Sequence, residues 1–268
     1  AVGLSEAGVS KRNKGLGNTI GRLRERPPLI SYALVELKIL IRTPVYFMNC
    51  IIINFLWPFL LLLPLFTGGS QVEQIGQITS MLKDPKNAGI VLAVAFAFVL
   101  FTGASNGRSS SAMSREGENI MVKKYLPTSY RTQLNAKVLS AMIIGLVAIL
   151  VLLLLGTLAF ELPLYLGLLI LIISPLALLF VSLTGLMIDL INPNFTWDNE
   201  QKAVKQNINV FLNILIGVIL TPIVIVPPLL FSWSLVNSLA ILTAAFILLD
   251  VVLYTLLSTR GIKIFHSL

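Results

Sequence analysis

The segment REGENIMVKKYLPTSYRTQLNAK, residues 115–137, lies between two long apolar runs. It carries five charged side chains before Leu126-Pro127 and two after, in a chain that is 56% apolar and 12% charged with a mean hydropathy of +0.88. Globular domains average about half apolar and a quarter charged. A helical crossing of a hydrocarbon core near 30 Å thick takes about 20 apolar residues. Six runs qualify, at 45–67, 88–105, 138–159, 164–188, 208–231 and 234–258. The segment therefore reads as a folded element outside the bilayer, held between the second and third crossings of an all-α integral membrane bundle. Such a polar element contributes nothing inside a bilayer; it fits something that another molecule grips.

The basic residues orient this bundle. With the N-terminus inside, 18 of the 20 Lys and Arg fall in inner segments: eight before the first run, six between the second and third, two between the fourth and fifth, and two after the sixth. Only Lys83 and Lys86 fall outside. Short loops rich in Lys and Arg stay on the cytoplasmic side, so both termini are expected in the cytoplasm of a cell carrying this protein in its plasma or inner membrane. The net charge of +8 is then topology and attraction to lipid headgroups, not a nucleic-acid surface. No run resembles a cleavable signal peptide, because the apolar stretches are too long. The single cysteine, Cys50, excludes an internal disulfide framework and a cysteine-based metal cluster.

Along the chain, residues 1–27 are polar, basic and Gly-containing, and read as a cytoplasmic linker. The chain starts without Met, which fits either the second half of a longer polypeptide or an ordinary processed N-terminus. Pro28 opens residues 28–43, where Leu29, Leu34, Leu37 and Ile41 recur at helical spacing beside Glu36, Lys38 and Arg42. That pattern predicts an amphipathic helix lying in the interface and ending before Pro44, ahead of a six-span domain over 44–268. The outer connection 68–87 reads as a turn, a short helix and a turn; the other two outer connections are short enough for tight hairpins. In the fifth run, Pro222, Pro227 and Pro228 remove backbone donors, predicting a broken span, as either a kink or a short re-entrant turn.

Enzyme chemistry is excluded mostly by absence. There is no G-x-x-x-x-G-K-[ST] phosphate loop, and the single histidine, His266, lies two residues from the end. No paired carboxylates sit within a span. Two single carboxylates lie at or near membrane depth, Asp189 and Asp250. Asp250, about 12 Å from the inner end of the sixth run, is read either as a proton or cation relay or as a structural group bonded across helices, Asn54 of the first run being one partner. Small residues in the second run, from Ala88 and Gly89 to Gly103 and Ala104, predict close helix packing.

In residues 114–137, a polar start is followed by Ile120-Met121-Val122, a Leu-Pro break, and a cap at Thr128 or Ser129 for a helix entering the third span. The stretch S-R-E-G-E-N-I-x-x-x-K-x-L-P, with Ala136-Lys137-Val138-Leu139 after it, resembles the first inner loop of ABC-2 type exporter permeases. The stretch from Asp189 through Pro193, Trp197 and Glu200 to Lys205-Gln206-Asn207 resembles the second inner loop of large bacterial permeases of that type. The resemblance implies a transport subunit, itself not an enzyme and binding no cofactor, that works with a separate ABC ATPase and a second permease half. It also implies that the ATPase grips Arg115, Glu116, Gly117, Glu118, Asn119, Ile120, Val122, Lys123, Lys124, Leu126 and Pro127. A second inner contact would comprise Asn192, Pro193, Trp197, Glu200 and Lys205. The alternative is an ion-coupled secondary transporter or channel using Asp250. Nothing along the runs singles out a cargo.

Overall fold

A computed structural model describes residues 26–56, 60 and 70–268. The linker expected over 1–27 and the middle of the first run therefore lie mostly outside the described residues. Among those described, the structure is helical without strands. Helix α1 spans Pro28–Arg42, as its amphipathic pattern predicts, with Pro28 at its first position. It meets α2, Pro44–Leu56, at 90°. Thr43, extended at φ −87° and ψ 112°, is the corner, because a residue before proline is pushed out of the helical region. Within α2, residues Phe47–Ile52 are wound as a π-helix.

The outer connection holds a longer helix than expected, α3 over Ser70–Lys83, followed by a 3-10 turn Pro85–Asn87 whose start is capped by Asp84. Then come α4, Ala88–Ser105; the short α5, Ile120–Lys124; α6, Tyr130–Phe160; and α7, Leu164–Ile191. The chain closes with a short α8, Glu200–Val204; α9, Ile208–Leu230; α10, Leu235–Leu256; and α11, Ile262–Ser267. Among the described residues, five helices are long and apolar enough to cross a membrane, and a sixth crossing is counted if α1 and the bent α2 are taken together. This fits a multi-pass membrane protein. The tight connections at Glu161–Pro163 and around Ser232–Ser234 are as expected, each with one residue at positive φ, Glu161 and Ser232.

The fifth span shows no re-entrant turn. α9 runs helical through Pro222, Pro227 and Pro228. Each proline lacks the N–H that would bond the carbonyl four residues back, those of Val218, Ile223 and Val224, yet the chain stays helical through all three.

Helices α4 and α7 form the centre, with 56% and 61% of their spanning windows buried, against 22% and 17% for those of α9 and α10. The core joins Phe96 and Leu100 of α4, Ala177 and Phe180 of α7, and Leu242 and Phe246 of α10. Phe246 stacks edge-on against both Phe96 and Phe180, at centroid distances of 4.7 and 5.4 Å. The small residues of α4 act as predicted. A Cβ placed on Gly217 of α9 would lie 2.7 Å from the Ala104 Cβ, so this crossing depends on a missing side chain. Gly89 passes equally close to the Trp233 carbonyl at the opposite end.

Candidate functional site

The polar segment begins earlier than 115 and is gripped by the chain itself. Residues Asn106–Gly117, NGRSSSAMSREG, are buried without interruption. Polar groups in that position need internal partners, and they find them from three sides.

From α7, Asp189 accepts hydrogen bonds from the backbone N–H of Met113 (2.6 Å) and Ser114 (3.0 Å) and from the Ser114 hydroxyl (2.5 Å). The Asn209 amide donates at 2.8 Å to the oxygen that also accepts from the Ser114 hydroxyl, and at 2.7 Å to the Asn192 carbonyl. Asp189 is wholly buried in the last turn of α7, where the helix dipole disfavours a carboxylate. Four donors offset that cost. Sequence reading placed Asp189 at this depth but did not supply its partners.

From the second polar connection, Trp197 Nε1 donates to the Ser114 carbonyl at 2.7 Å, and the Asn194 N–H donates to the Ser114 hydroxyl at 2.9 Å. The Trp197 ring covers Gly117, whose φ of +51° and ψ of −135° suit only glycine; a Cβ there would meet the ring at 3.0 Å. The two motifs that resemble permease loops are thus one structure, joined through Ser114, Gly117, Asp189 and Trp197.

From α1 and α6 comes an ion cluster. Glu36 accepts from Lys123 at 2.9 Å and from Lys137 at 3.1 Å, while Glu116 accepts from Lys123 at 2.8 Å and also from Lys137. Lys137 donates further to the Ala112 carbonyl at 2.9 Å. Burial alone would raise the Glu36 carboxyl, but Lys137, Lys123 and Arg115 together hold it down from the usual 4.5 to about 2. Burial likewise works against the Lys123 charge, and Glu36 and Glu116 overcome it and raise the ammonium above its usual value. Arg115 caps the turn, donating to the carbonyls of Gly107 (3.1 Å) and Arg108 (2.7 Å) with its guanidinium over the Tyr46 ring.

The expected coupling residues therefore divide. Arg115, Glu116, Gly117 and Ile120 are buried, and Ile120 packs with Leu134, Val138 and Leu190. The resemblance led to Ile120 being expected at a partner surface; it faces the helices instead, and the segment is part of their packing. Lys123 is tied into the ion cluster, and Lys124 donates to the His266 carbonyl at 3.3 Å. Glu118, Asn119, Val122, Leu126 and Pro127 are exposed, joined by Met121 (55%) and Tyr125 (88%). In the second connection, Asn192, Glu200 and Lys205 are exposed and Pro193 is half-buried. Ser129 is the cap of α6, accepting from the Thr132 N–H.

Asn54 does not meet Asp250. Its amide donates to the Cys50 carbonyl at 2.8 Å and its oxygen accepts from Asn106 at 3.0 Å. Asp250 is 4% exposed, and neither carboxyl oxygen has a hydrogen-bond partner among the described residues. Sequence reasoning missed Glu36 and Arg108 as buried charges. The signal for Glu36 was one carboxylate facing two lysines that a helix-turn-helix brings back; Arg108 followed directly on an apolar run. No group of three or more potential metal ligands occurs among the described residues. No protein-family model matches the chain, and no curated protein or solved structure matches it.

Proposed function

We propose that this chain is the membrane-spanning permease of an ATP-driven exporter, with its ATPase on a separate subunit docking against α5. The observation that carries this reading is an exposed apolar ridge, Met121, Val122, Tyr125 and Leu126, on a segment locked by buried polar contacts to α1, α6 and α7. Exposed apolar groups on an otherwise anchored polar turn suit a partner cleft with a polar rim, where a few buried anchors carry most of the affinity. Lys123, between Val122 and Lys124, bonds Glu36 of α1 and Glu116, which also bonds Lys137 of α6, so a load on that ridge reaches the bundle through buried contacts. It can therefore bias two packings of the bundle, closed inward and open outward. The basic bias of the sequence puts the ridge on the cytoplasmic side of a cell membrane, and a second permease half would complete the pathway.

The test uses Val122→Asp with Leu126→Asp. Both side chains are exposed, at 63% and 41%, so the bundle should insert and unfold as the parent does. Loss of two anchors at about 1–2 kcal/mol each should lower ATPase co-purification in mild detergent by tenfold or more. Retention of the ATPase at parental stoichiometry would move the docking site to the exposed Glu200 and Lys205 side of α8.

A second reading, ion-coupled transport through Asp250, is favoured by one observation: a buried carboxylate without a hydrogen-bond partner. Asp250→Asn keeps the shape and removes the charge. On the exporter reading, ATP-dependent export is retained; export lost while assembly and ATPase binding persist would favour ion coupling.

A further inference from the structure

Two adjoining cavities open along one flank of α4. The larger, about 430 Å³, is walled by apolar side chains including Val94 and Phe98 of α4, Leu152 of α6 and Met81 of α3. The smaller, about 20 Å³, shares Phe98, Val99, Ile149 and Leu152 with it and adds Asn54, Thr102 and Arg108. They form one crevice, apolar over most of its length and ending at a guanidinium. From Thr102 to Ile90 the wall of α4 covers about 18 Å at 1.5 Å per residue. The volume is within the range of about 300–1,000 Å³ usual for small-ligand pockets.

Arg108 is the unexplained charge. It is 3% exposed, its Nε donates to Asn106 Oδ1, and its Nη1 has no hydrogen-bond partner among the described residues. Three buried carboxylates are committed elsewhere, Glu36 and Glu116 to Lys123 and Lys137, and Asp189 to Met113, Ser114 and Asn209; the fourth, Asp250, accepts from no donor among the described residues, Arg108 included. A guanidinium stays protonated at any physiological pH, and an unpaired buried charge is costly to keep. Asn54 and Thr102 do not relieve it: the Asn54 oxygen accepts from the Asn106 amide, the Thr102 hydroxyl is turned to the Phe98 carbonyl, and neither accepts from Nη1. The free donor at the end of the crevice is cationic, and the walls above it are hydrocarbon.

We propose that this crevice holds an amphiphile whose anionic head, carboxylate or phosphate, sits on Arg108 and whose hydrocarbon tail lies between α4 and α6. Arg108 follows the end of α4 that carries the polar connections, so the head lies at the depth of one leaflet's headgroups with the tail directed toward the other side. That is the orientation of a lipid-like molecule entering from the leaflet on the loop side. The exporter reading is needed only to name this molecule as cargo; its binding stands apart.

The full chain in phosphatidylcholine nanodiscs is labelled with dodecanoic acid carrying a tail diazirine, and cross-links are mapped by mass spectrometry. Cross-links are expected on Val94, Phe98 and Leu152, displaced by unlabelled dodecanoate and dodecyl phosphate but not by dodecanol. The stronger of the two anions identifies the head. Arg108→Gln should weaken binding by on the order of tenfold or more, and Arg108→Lys by much less. Ala148→Phe fills the crevice while leaving Arg108 in place and should abolish labelling, which decides the matter even if Arg108→Gln fails to fold. Displacement by dodecanol equal to that by dodecanoate, cross-links elsewhere, or labelling that survives Ala148→Phe would each overturn the proposal. Anion binding intact in a chain that neither holds an ATPase nor exports would sink the exporter reading alone.

Discussion

Asp189→Ala should destabilise the folded bundle by about 3–5 kcal/mol. The change removes one carboxylate and strands four buried donors: the N–H groups of Met113 and Ser114, the Ser114 hydroxyl and the Asn209 amide. With the acceptor gone, the polar segment Asn106–Gly117 has no reason to stay folded against α7, and Trp197 loses its hold on the Ser114 carbonyl. Thermal unfolding in detergent should shift downward, and Trp197 fluorescence should report a more solvated indole before global unfolding. Asp189→Asn, which keeps one acceptor oxygen, should recover part of the loss. Equal stability of the Ala variant and the parent would show that water or another group replaces the carboxylate, and the clamp would then be incidental.

Lys137→Met should cost a comparable amount, about 3–5 kcal/mol, because it leaves Glu36 and Glu116 buried with Lys123 as their shared ion-pair partner. The informative control is the pair Lys137→Met with Glu116→Gln, which removes one charge of each sign and should recover a substantial part of the stability. The same cluster sets a pH dependence. Glu36 titrates in the folded protein at about 2 and otherwise at 4.5, so its stabilisation is complete above pH 4.5 and is lost as pH falls toward 2. Lys123 is shifted the other way, upward, so its contribution is full at neutral pH and is lost only as pH rises through its raised value. Stability measured from pH 7 down to pH 3 should therefore fall in the parent and fall less in Glu36→Gln. A parallel fall in both would assign the acid sensitivity to other carboxylates.

These two substitutions act at opposite ends of one device. Asp189 ties the polar segment to α7, and Lys137 ties it to α6 and, through Glu36, to α1. A segment held on both sides transmits displacement better than one held on one side. The locked segment and its exposed ridge of Met121, Val122, Tyr125 and Leu126 therefore belong in one argument about function.

Membrane character, the helical class and the near-positions of the long helices were legible from apolar run length alone, because hydrocarbon thickness sets a minimum span. Helix α1 was legible as a helix from its 3.6-residue pattern and from Pro28 and Pro44, which bound it by local backbone chemistry. The cap at Ser129 followed from the same local rules. The three prolines of α9 left a kink and a re-entrant turn open, and the chain runs helical through all of them, without the turn.

What the tertiary structure alone decided was which polar residues face each other. Glu36 and Lys137 are a hundred and one residues apart in sequence and 3.1 Å apart in space. Asp189 reaches Ser114 over a separation of 75. No local periodicity encodes such pairs, because side-chain charge looks the same in a solvated loop and in a buried lock. Only the packing of α4 against α7, and of α1 against α6, removes water from residues 106–117 and forces each donor to find its partner inside the chain.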